Sequence, residues 1–163
     1  MWGVIPVAGK GTRLYPLTLD KPKALLELRG RPILERLVER IVPVITHLCL
    51  VVGENELLFR AAIGDRIHGI AVHYVTQSSP VGVADAICRA EAVVSGPFLA
   101  LMGDNYFDES LVPYIEGWQQ SGADGAILVE QTEESSRDPV GIVEVERGSV
   151  LALTKASFQP GMG

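Results

Sequence analysis

Five short apolar runs, at residues 4–8, 48–52, 71–75, 98–102 and 126–129, are rich in Val, Ile, Leu and Ala. They are short for helices and lack polar alternation, so they read as strands buried on both faces. Four other stretches, residues 32–41, 54–63, 83–93 and 110–120, space their apolar positions with helical period. Strand and helix therefore alternate along the chain. Such alternation feeds crossovers between parallel strands and predicts an α/β protein, a three-layer α/β/α Rossmann-like body around a mostly parallel sheet. In sheets of that kind ligands bind beyond the strand carboxyl ends. From about residue 123 the helical pattern fades. Residues 141–145 and 150–154, flanking Arg147-Gly148-Ser149, predict a β-hairpin added at the C-terminal end. The polar, acidic segment 130–139 closes on Asp138-Pro139 and predicts an exposed loop able to cover a site.

Length and composition narrow the class of partner. A chain of 163 residues, 47% hydrophobic and 21% charged, suits one compact domain with a real core. The formal charge of −6 supplies no broad basic field, which argues against nucleic acid or an anionic membrane as the partner. A phosphate ligand would have to be small and held by a few placed groups. The opening residues lack a signal-peptide pattern and no run is long enough to cross a bilayer, so a cytoplasmic location is expected. Cys49 and Cys88 fit neither a metal spacing nor a disulfide framework and read as buried packing thiols. His47, His68 and His73 share no ligand or triad spacing and read as packing or surface residues.

The chemistry concentrates after the first strand. In Ala8-Gly9-Lys10-Gly11-Thr12-Arg13, two glycines around a lysine let the backbone turn sharply and bring its N–H groups against phosphate oxygens. Thr12 adds a hydroxyl and Arg13 a guanidinium fork. The loop lacks the Gly-Lys-Ser/Thr ending of a P-loop, and Leu14 stands where a dinucleotide fingerprint has its third glycine. Its bare alternative is a Gly-rich turn with an exposed charge pair. Downstream, Lys21-Pro22-Lys23 adds two cations, with Pro22 stiffening the chain beside Lys23. Three or four positive groups are thus expected to converge at one strand end, where they would stabilise charge developing in attack at an α-phosphorus.

The run from Ala8 to Thr18, followed by Lys21-Pro22-Lys23 and Leu25-Leu26, resembles the signature of the sugar-1-phosphate nucleotidyltransferases, especially the glucose-1-phosphate thymidylyltransferase type. Their usual Leu-Ala-Ala-Gly opening is here Pro6-Val7-Ala8-Gly9. The resemblance implies transfer of a nucleoside monophosphate from a triphosphate of the dTTP or UTP kind to a sugar 1-phosphate, with Mg²⁺ as cofactor and pyrophosphate as product. It implies that Ala8, Gly9, Gly11 and Thr12 contact the nucleotide, that Arg13 holds its phosphates, and that Arg13 and Lys23 act in catalysis.

Three later segments extend it. Gln77-Ser78-Ser79-Pro80-Val81-Gly82-Val83-Ala84-Asp85-Ala86 is by itself a helix-capping turn, but it resembles the family's base-reading segment. Gln77 could then pair with a base edge through both amide functions, with Gly82 letting the base approach. Gly103-Asp104-Asn105 closes the fourth strand. A turn aspartate is ordinary there, yet the motif resembles the family's metal site, which makes Asp104 a nucleotide-side ligand of Mg²⁺. Residues 138–144 resemble a shortened sugar-phosphate segment, with Gly141 at the matching glycine. Where the family has Glu-Lys-Pro this chain has Thr154-Lys155-Ala156, which keeps a lysine for the sugar phosphate and lacks the acid for the sugar. Complete enzymes of the type carry a further sugar-binding and assembly part, with a second metal-binding aspartate. Residues 1–163 are therefore expected to be the nucleotide-binding core. Alternatives left open are a nucleotide-binding or regulatory module without turnover and a related transferase using phosphocholine or another non-sugar acceptor. A homo-oligomer is open as well.

Overall fold

The computed structural model describes residues 1–9, 11–79, 81–105, 107–129 and 141–155. The chain divides into two compact units, Met1–Ser121 and Gly122–Gly163, where its length had suggested one body.

The first unit is built on strands β1 (Trp2–Pro6), β4 (His47–Val52), β5 (Arg66–Ile67), β6 (Ile70–Thr76) and β7 (Phe98–Ala100). They form one sheet in the order β5-β6-β4-β1-β7. β4 and β7 flank β1 in parallel, β6 is parallel to β4, and only the short β5 runs antiparallel. A separate two-residue ladder joins β2 (Glu27–Leu28) to β3 (Arg31–Pro32). The helices are α1 (Ile33–Ile41), α2 (Glu56–Ile63), α3 (Val83–Arg89) and α4 (Val112–Ser121). The mostly parallel, Rossmann-like α/β architecture expected from the alternation is what the chain adopts.

Period-two alternation divides the sheet into two faces, both covered. Ile5, Leu48, Leu50 and Val52 pack with Leu34, Leu37, Val38 and Ile41 of α1, Phe59 of α2 and Ile115 of α4. Val4, Cys49 and Val51 pack with Ala86 and Ala90 at α3. In α1 the buried positions recur at intervals of three and four, which is the stripe a helix needs to lie on a sheet. Glu35 in its first turn and Arg40 in its last complement the helix dipole. α2 ends at Gly64, whose φ of 72 lies in the region that favours glycine.

The two cysteines differ. Cys49 is sealed within β4, and burial pushes its thiol up to about 11. Cys88 is exposed on α3, contrary to the buried packing role expected for both, because α3 lays its small residues Ala86 and Ala90 on the sheet and turns Cys88 outward. A thiol reagent at neutral pH should therefore modify Cys88 in the native protein and reach Cys49 only after denaturation, which mass spectrometry of the labelled chain would show. At the start of the strands His47 stacks on Trp2 at 4.7 Å between ring centroids, with His73 at 5.0 Å from Trp2.

In the second unit β8 (Gly141–Glu146) and β9 (Ser149–Lys155) form the expected hairpin as a two-stranded sheet of their own. The fifth apolar run is a correction. Residues 126–129 form no strand, and Ile127, Leu128 and Val129 are exposed. An apolar run becomes a strand only when a neighbour takes its backbone groups, and among the described residues it has no ladder partner. The predicted loop 130–139 lies outside the described residues. No helix among the described residues is long and apolar enough to cross a membrane.

Candidate functional site

The order of the parallel strands reverses beside β1. From β1 the chain builds outward through β4 to β6, then returns to place β7 on the other side of β1. Loops leaving β1 and β7 part at this switch point and open a crevice at the strand carboxyl ends. A cleft of about 290 Å³ lies there, lined by Ala8, Gly9 and Gly11 after β1, Gln77 after β6, Gly82 at the start of α3, and Asp104 after β7, with Lys23 at its side. That volume is at the small end for ligand pockets and suits part of a nucleotide rather than the whole.

Local structure explains how each group arrives. Gly11 sits at φ 63, and a side chain there would also meet Thr18 and Lys23 at 3.2 and 3.3 Å. Its carbonyl accepts hydrogen bonds from Thr18 Oγ1 at 2.8 Å and from Leu14 N at 3.0 Å. Thr18, buried at 6% exposure, is thus the pin of the loop, a role no sequence spacing announces. The backbone N–H groups of Ala8, Gly9 and Gly11 find no acceptor among the described residues. Gly9 is exposed and Ala8 and Gly11 are half-buried, so these donors face the open cleft, where an anion could take them. Lys10 lies outside the described residues.

Lys23 follows the buried Pro22 and precedes Ala24 and Leu25, both buried in the core, within a short 3₁₀ turn. These neighbours fix its direction. Its Nζ meets Asp104 Oδ2 at 2.7 Å, with the two side chains 37% and 40% exposed. The contact bridges residues 81 apart in sequence and links the β1 and β7 loops at the switch point. A pair this exposed adds at most about 1 kcal/mol, so a ligand can separate the two charges at little cost.

The expected convergence of three or four cations is narrower in the structure. Among the described residues Lys23 is the cation that lines the cleft. Lys21 pairs with Glu27 at 3.0 Å instead. Thr12 and Arg13 fall in a 3₁₀ turn over Thr12–Leu14, both exposed and outside the cleft lining. The turn carries them outward before the chain returns at Lys23.

Asp104 was expected to hold a cation. One carboxylate open to a cleft, next to donors for phosphate, fits an ion such as Mg²⁺ that takes one or two carboxylates and completes its shell with phosphate and water. No cluster of three or more His, Cys, Asp or Glu able to hold a metal occurs among the described residues, so a dedicated all-protein cage is not the fit. Gly103 explains why the motif carries a glycine before the acid. A Cβ there would collide with Val7 Cγ1 and lie 3.3 Å from Ile5 Cγ2 and the Pro6 carbonyl. Gly103→Ala should therefore destabilise the fold by about 1–3 kcal/mol, read from chemical denaturation.

Gln77 is buried at 3% exposure. Its Nε2 donates to the Gly82 carbonyl at 3.1 Å and to Asp85 Oδ2 at 2.6 Å. The expectation that both amide functions face a base is thus revised: the NH₂ end is already engaged. Sequence spacing assigns Asp85, inside the segment that resembles the family's base-reading turn, no role of its own. Its carboxyl is held below the usual carboxylate range, first by the Gln77 hydrogen bond and then by Arg89, whose Nε donates to it at 3.0 Å. Gly141 and Lys155 stand opposite each other in the β8–β9 ladder.

Fold and cleft together define an α/β protein that brings a glycine loop, a lysine and a carboxylate to the switch point of a parallel sheet. Residues 2–155 match the family described as Nucleotidyl transferase, and the chain belongs to that family. It is 35% identical over 162 residues to the UTP–glucose-1-phosphate uridylyltransferase AglF of Haloferax volcanii, covering 98% of this chain and 67% of that protein. It is 34% identical over 116 residues to the bifunctional protein GlmU of Methanococcus vannielii, covering 71% of this chain and 27% of that one. A candidate glucose-1-phosphate thymidylyltransferase from Bacillus anthracis, solved in complex with a sucrose, shares the fold with a TM-score of 0.81 at 22% identity. That match covers 95% of this chain and 64% of the other.

Proposed function

We propose that the chain carries the nucleotide-binding and phosphoryl-transfer half of a sugar-1-phosphate nucleotidyltransferase. The observation that carries the reading is the Lys23–Asp104 contact of 2.7 Å beside the loop of unspent N–H donors. A cation and a metal-compatible carboxylate meeting in one cleft support a triphosphate site there. The family membership, and relatives named for this reaction, support it.

In this reading the N–H groups of Ala8, Gly9 and Gly11 grip phosphate oxygens, with Thr12 and Arg13 reaching the triphosphate from the rim. Asp104 would hold Mg²⁺, which when bound offsets the negative charge of the phosphates. Lys23, released from Asp104, donates to a non-bridging oxygen of the α-phosphoryl group. An oxygen of the acceptor phosphate then forms the new bond to the α-phosphorus while the bond to the bridging oxygen of the β-phosphate breaks, and pyrophosphate leaves with its electron pair. No proton has to be removed from the attacking phosphate oxygen, so positioning and charge stabilisation provide the rate gain. Gly141 and Lys155 would place the acceptor phosphate.

The test is pyrophosphate release with Mg²⁺, a panel of nucleoside triphosphates and a panel of sugar 1-phosphates, alongside calorimetry of triphosphate binding. Release with one sugar phosphate supports the proposal. Binding without turnover supports instead a triphosphate-binding module, the reading favoured by Thr154-Lys155-Ala156. No triphosphate binding overturns both.

A further inference from the structure

Spacing along the chain gives the three histidines no common site, but the register of the parallel sheet brings two of them together. Trp2 pairs with His47, and His47 with Ala71. His73, two residues beyond Ala71, therefore stands on the same face of the sheet as Trp2 and His47. The rings of His47 and His73 lie 5.9 Å apart between centroids, and they meet the Trp2 ring at 4.7 and 5.0 Å. Trp2 and His47 open β1 and β4, at the end of the sheet opposite the cleft, and no member of the cluster lines that cleft.

Two features fit the histidine pair to a metal ion. The first is distance. An imidazole nitrogen sits about 2.0–2.1 Å from a bound Zn²⁺, so two rings on one ion, each with a radius of about 1.1 Å, have centroids at most about 6.3 Å apart. The second is orientation. His47 Nδ1 lies 3.0 Å from Thr46 Oγ1, and that hydroxyl reaches the Met1 carbonyl at 3.3 Å. With the hydroxyl proton on the carbonyl, the oxygen accepts Nδ1–H and Nε2 carries a free lone pair. Metal-binding histidines are held in this way, the second nitrogen donating to an outer partner that fixes tautomer and ring direction. His47 is exposed and His73 half-buried. Neither His47 Nε2 nor either nitrogen of His73 finds a hydrogen-bond partner among the described residues. Cys49, the register partner of His73, is sealed beneath α3. The protein thus supplies two ligands and no third, in keeping with the lack of a three-ligand cluster among the described residues.

We propose that His47 and His73 bind one late first-row divalent transition metal ion, through one nitrogen of each ring and with water completing its shell. Imidazole suits Zn²⁺, Ni²⁺ and Cu²⁺, and affinity peaks at Cu²⁺. Mg²⁺ takes oxygen ligands and is passed over here. An ion at this place ties the β4 and β6 strands together and stands against the Trp2 ring. The site stands or falls separately from the nucleotide reading of the cleft.

Titration of Cu²⁺ into the untagged whole chain, followed by tryptophan fluorescence and by calorimetry, tests it, because Cu²⁺ bound beside Trp2 quenches its emission. Wild type should show a saturable quench with one ion per chain, reversed by EDTA and unaffected by excess Mg²⁺. His47→Gln and His73→Gln should each weaken binding at least tenfold, since loss of even an outer partner of a ligating histidine costs roughly 10–100-fold. Thr46→Val should weaken it within that range and Thr46→Ser should restore it, a contrast that a purely structural threonine would not give. Trp2→Phe should lose most of the quench while calorimetry still records the ion, which separates Trp2 from Trp118. His68→Gln, at a histidine set against Glu35 instead, should bind as wild type does. No saturable binding by wild type overturns the proposal. So does binding that survives both His47→Gln and His73→Gln, or that falls equally in His68→Gln, since either marks scattered adsorption. Should His73→Gln not fold, the exposed His47 and Thr46 variants still decide the matter.

Discussion

Replacing Lys23 with alanine should lower the turnover number for pyrophosphate release by on the order of 10²–10³, the usual loss when one preorganised charge is removed from a developing anion. The Michaelis constant for the triphosphate should move far less, because N–H donors of the Ala8–Gly11 loop remain to bind it. Stability should barely change. The Lys23–Asp104 pair is 37% and 40% exposed on its two sides, and exposed pairs contribute at most about 1 kcal/mol. A large kinetic effect with an unchanged unfolding midpoint is the signature of a side chain placed for chemistry. Lys21→Ala is the internal control. Lys21 pairs with Glu27 away from the cleft, and its loss should leave turnover within about threefold, as for a surface charge with no phosphate to meet. Steady-state kinetics of the three proteins, with the substrates that the panel identifies, checks the assignment. Equal losses for Lys21 and Lys23 would point to a general electrostatic field in place of a positioned lysine.

The second large effect is on stability. Phe59→Ala should cost about 3–5 kcal/mol, a sizeable share of the roughly 5–15 kcal/mol that holds a domain together. Phe59 is fully buried and is the single side chain of α2 sealed into the larger core, while Leu57 and Leu58 on the same helix are exposed. Its removal leaves a cavity under a helix whose other ties to the sheet are the half-buried Ile63, the Thr76–Glu56 hydrogen bond and Arg60 over the Tyr74 ring. Leu57→Ala should change stability by less than about 0.5 kcal/mol, as exposed substitutions do. Urea denaturation of the two variants measures the contrast. Equal midpoints would mean that α2 does not depend on Phe59 for its seat on the sheet.

Several parts of this outcome are readable along the chain. The central strands β1 and β4 announce themselves as apolar runs because both faces of the sheet are covered there, Val4, Cys49 and Val51 on one side and Ile5, Leu48 and Leu50 on the other. α1 is readable from its stripe of Leu34, Leu37, Val38 and Ile41. The glycine loop after β1 and the acid at the end of β7 stand out because glycine, lysine and aspartate in these places interrupt apolar runs that have no other reason to stop. Residues 126–129 show the limit of the same signal. Their composition is that of a strand, but a strand also needs a ladder, and composition is silent on which edge is available.

Within the cleft, the sequence by itself determined the chemical inventory and the class of fold. Glycines after a buried strand, a proline-braced lysine, a glutamine before a helix and an aspartate after a strand are properties of composition and order. Only the tertiary structure decided who meets whom. Lys23 found Asp104 across 81 residues, Arg13 stayed at the rim, Thr18 pinned Gly11, and Asp85 took the Gln77 amide that was expected to serve a base at both ends. The physical reason is range. Local propensity and hydrophobic period act over a few residues, whereas an ion pair or a hydrogen bond between loops depends on sheet order and on the direction in which each loop leaves its strand.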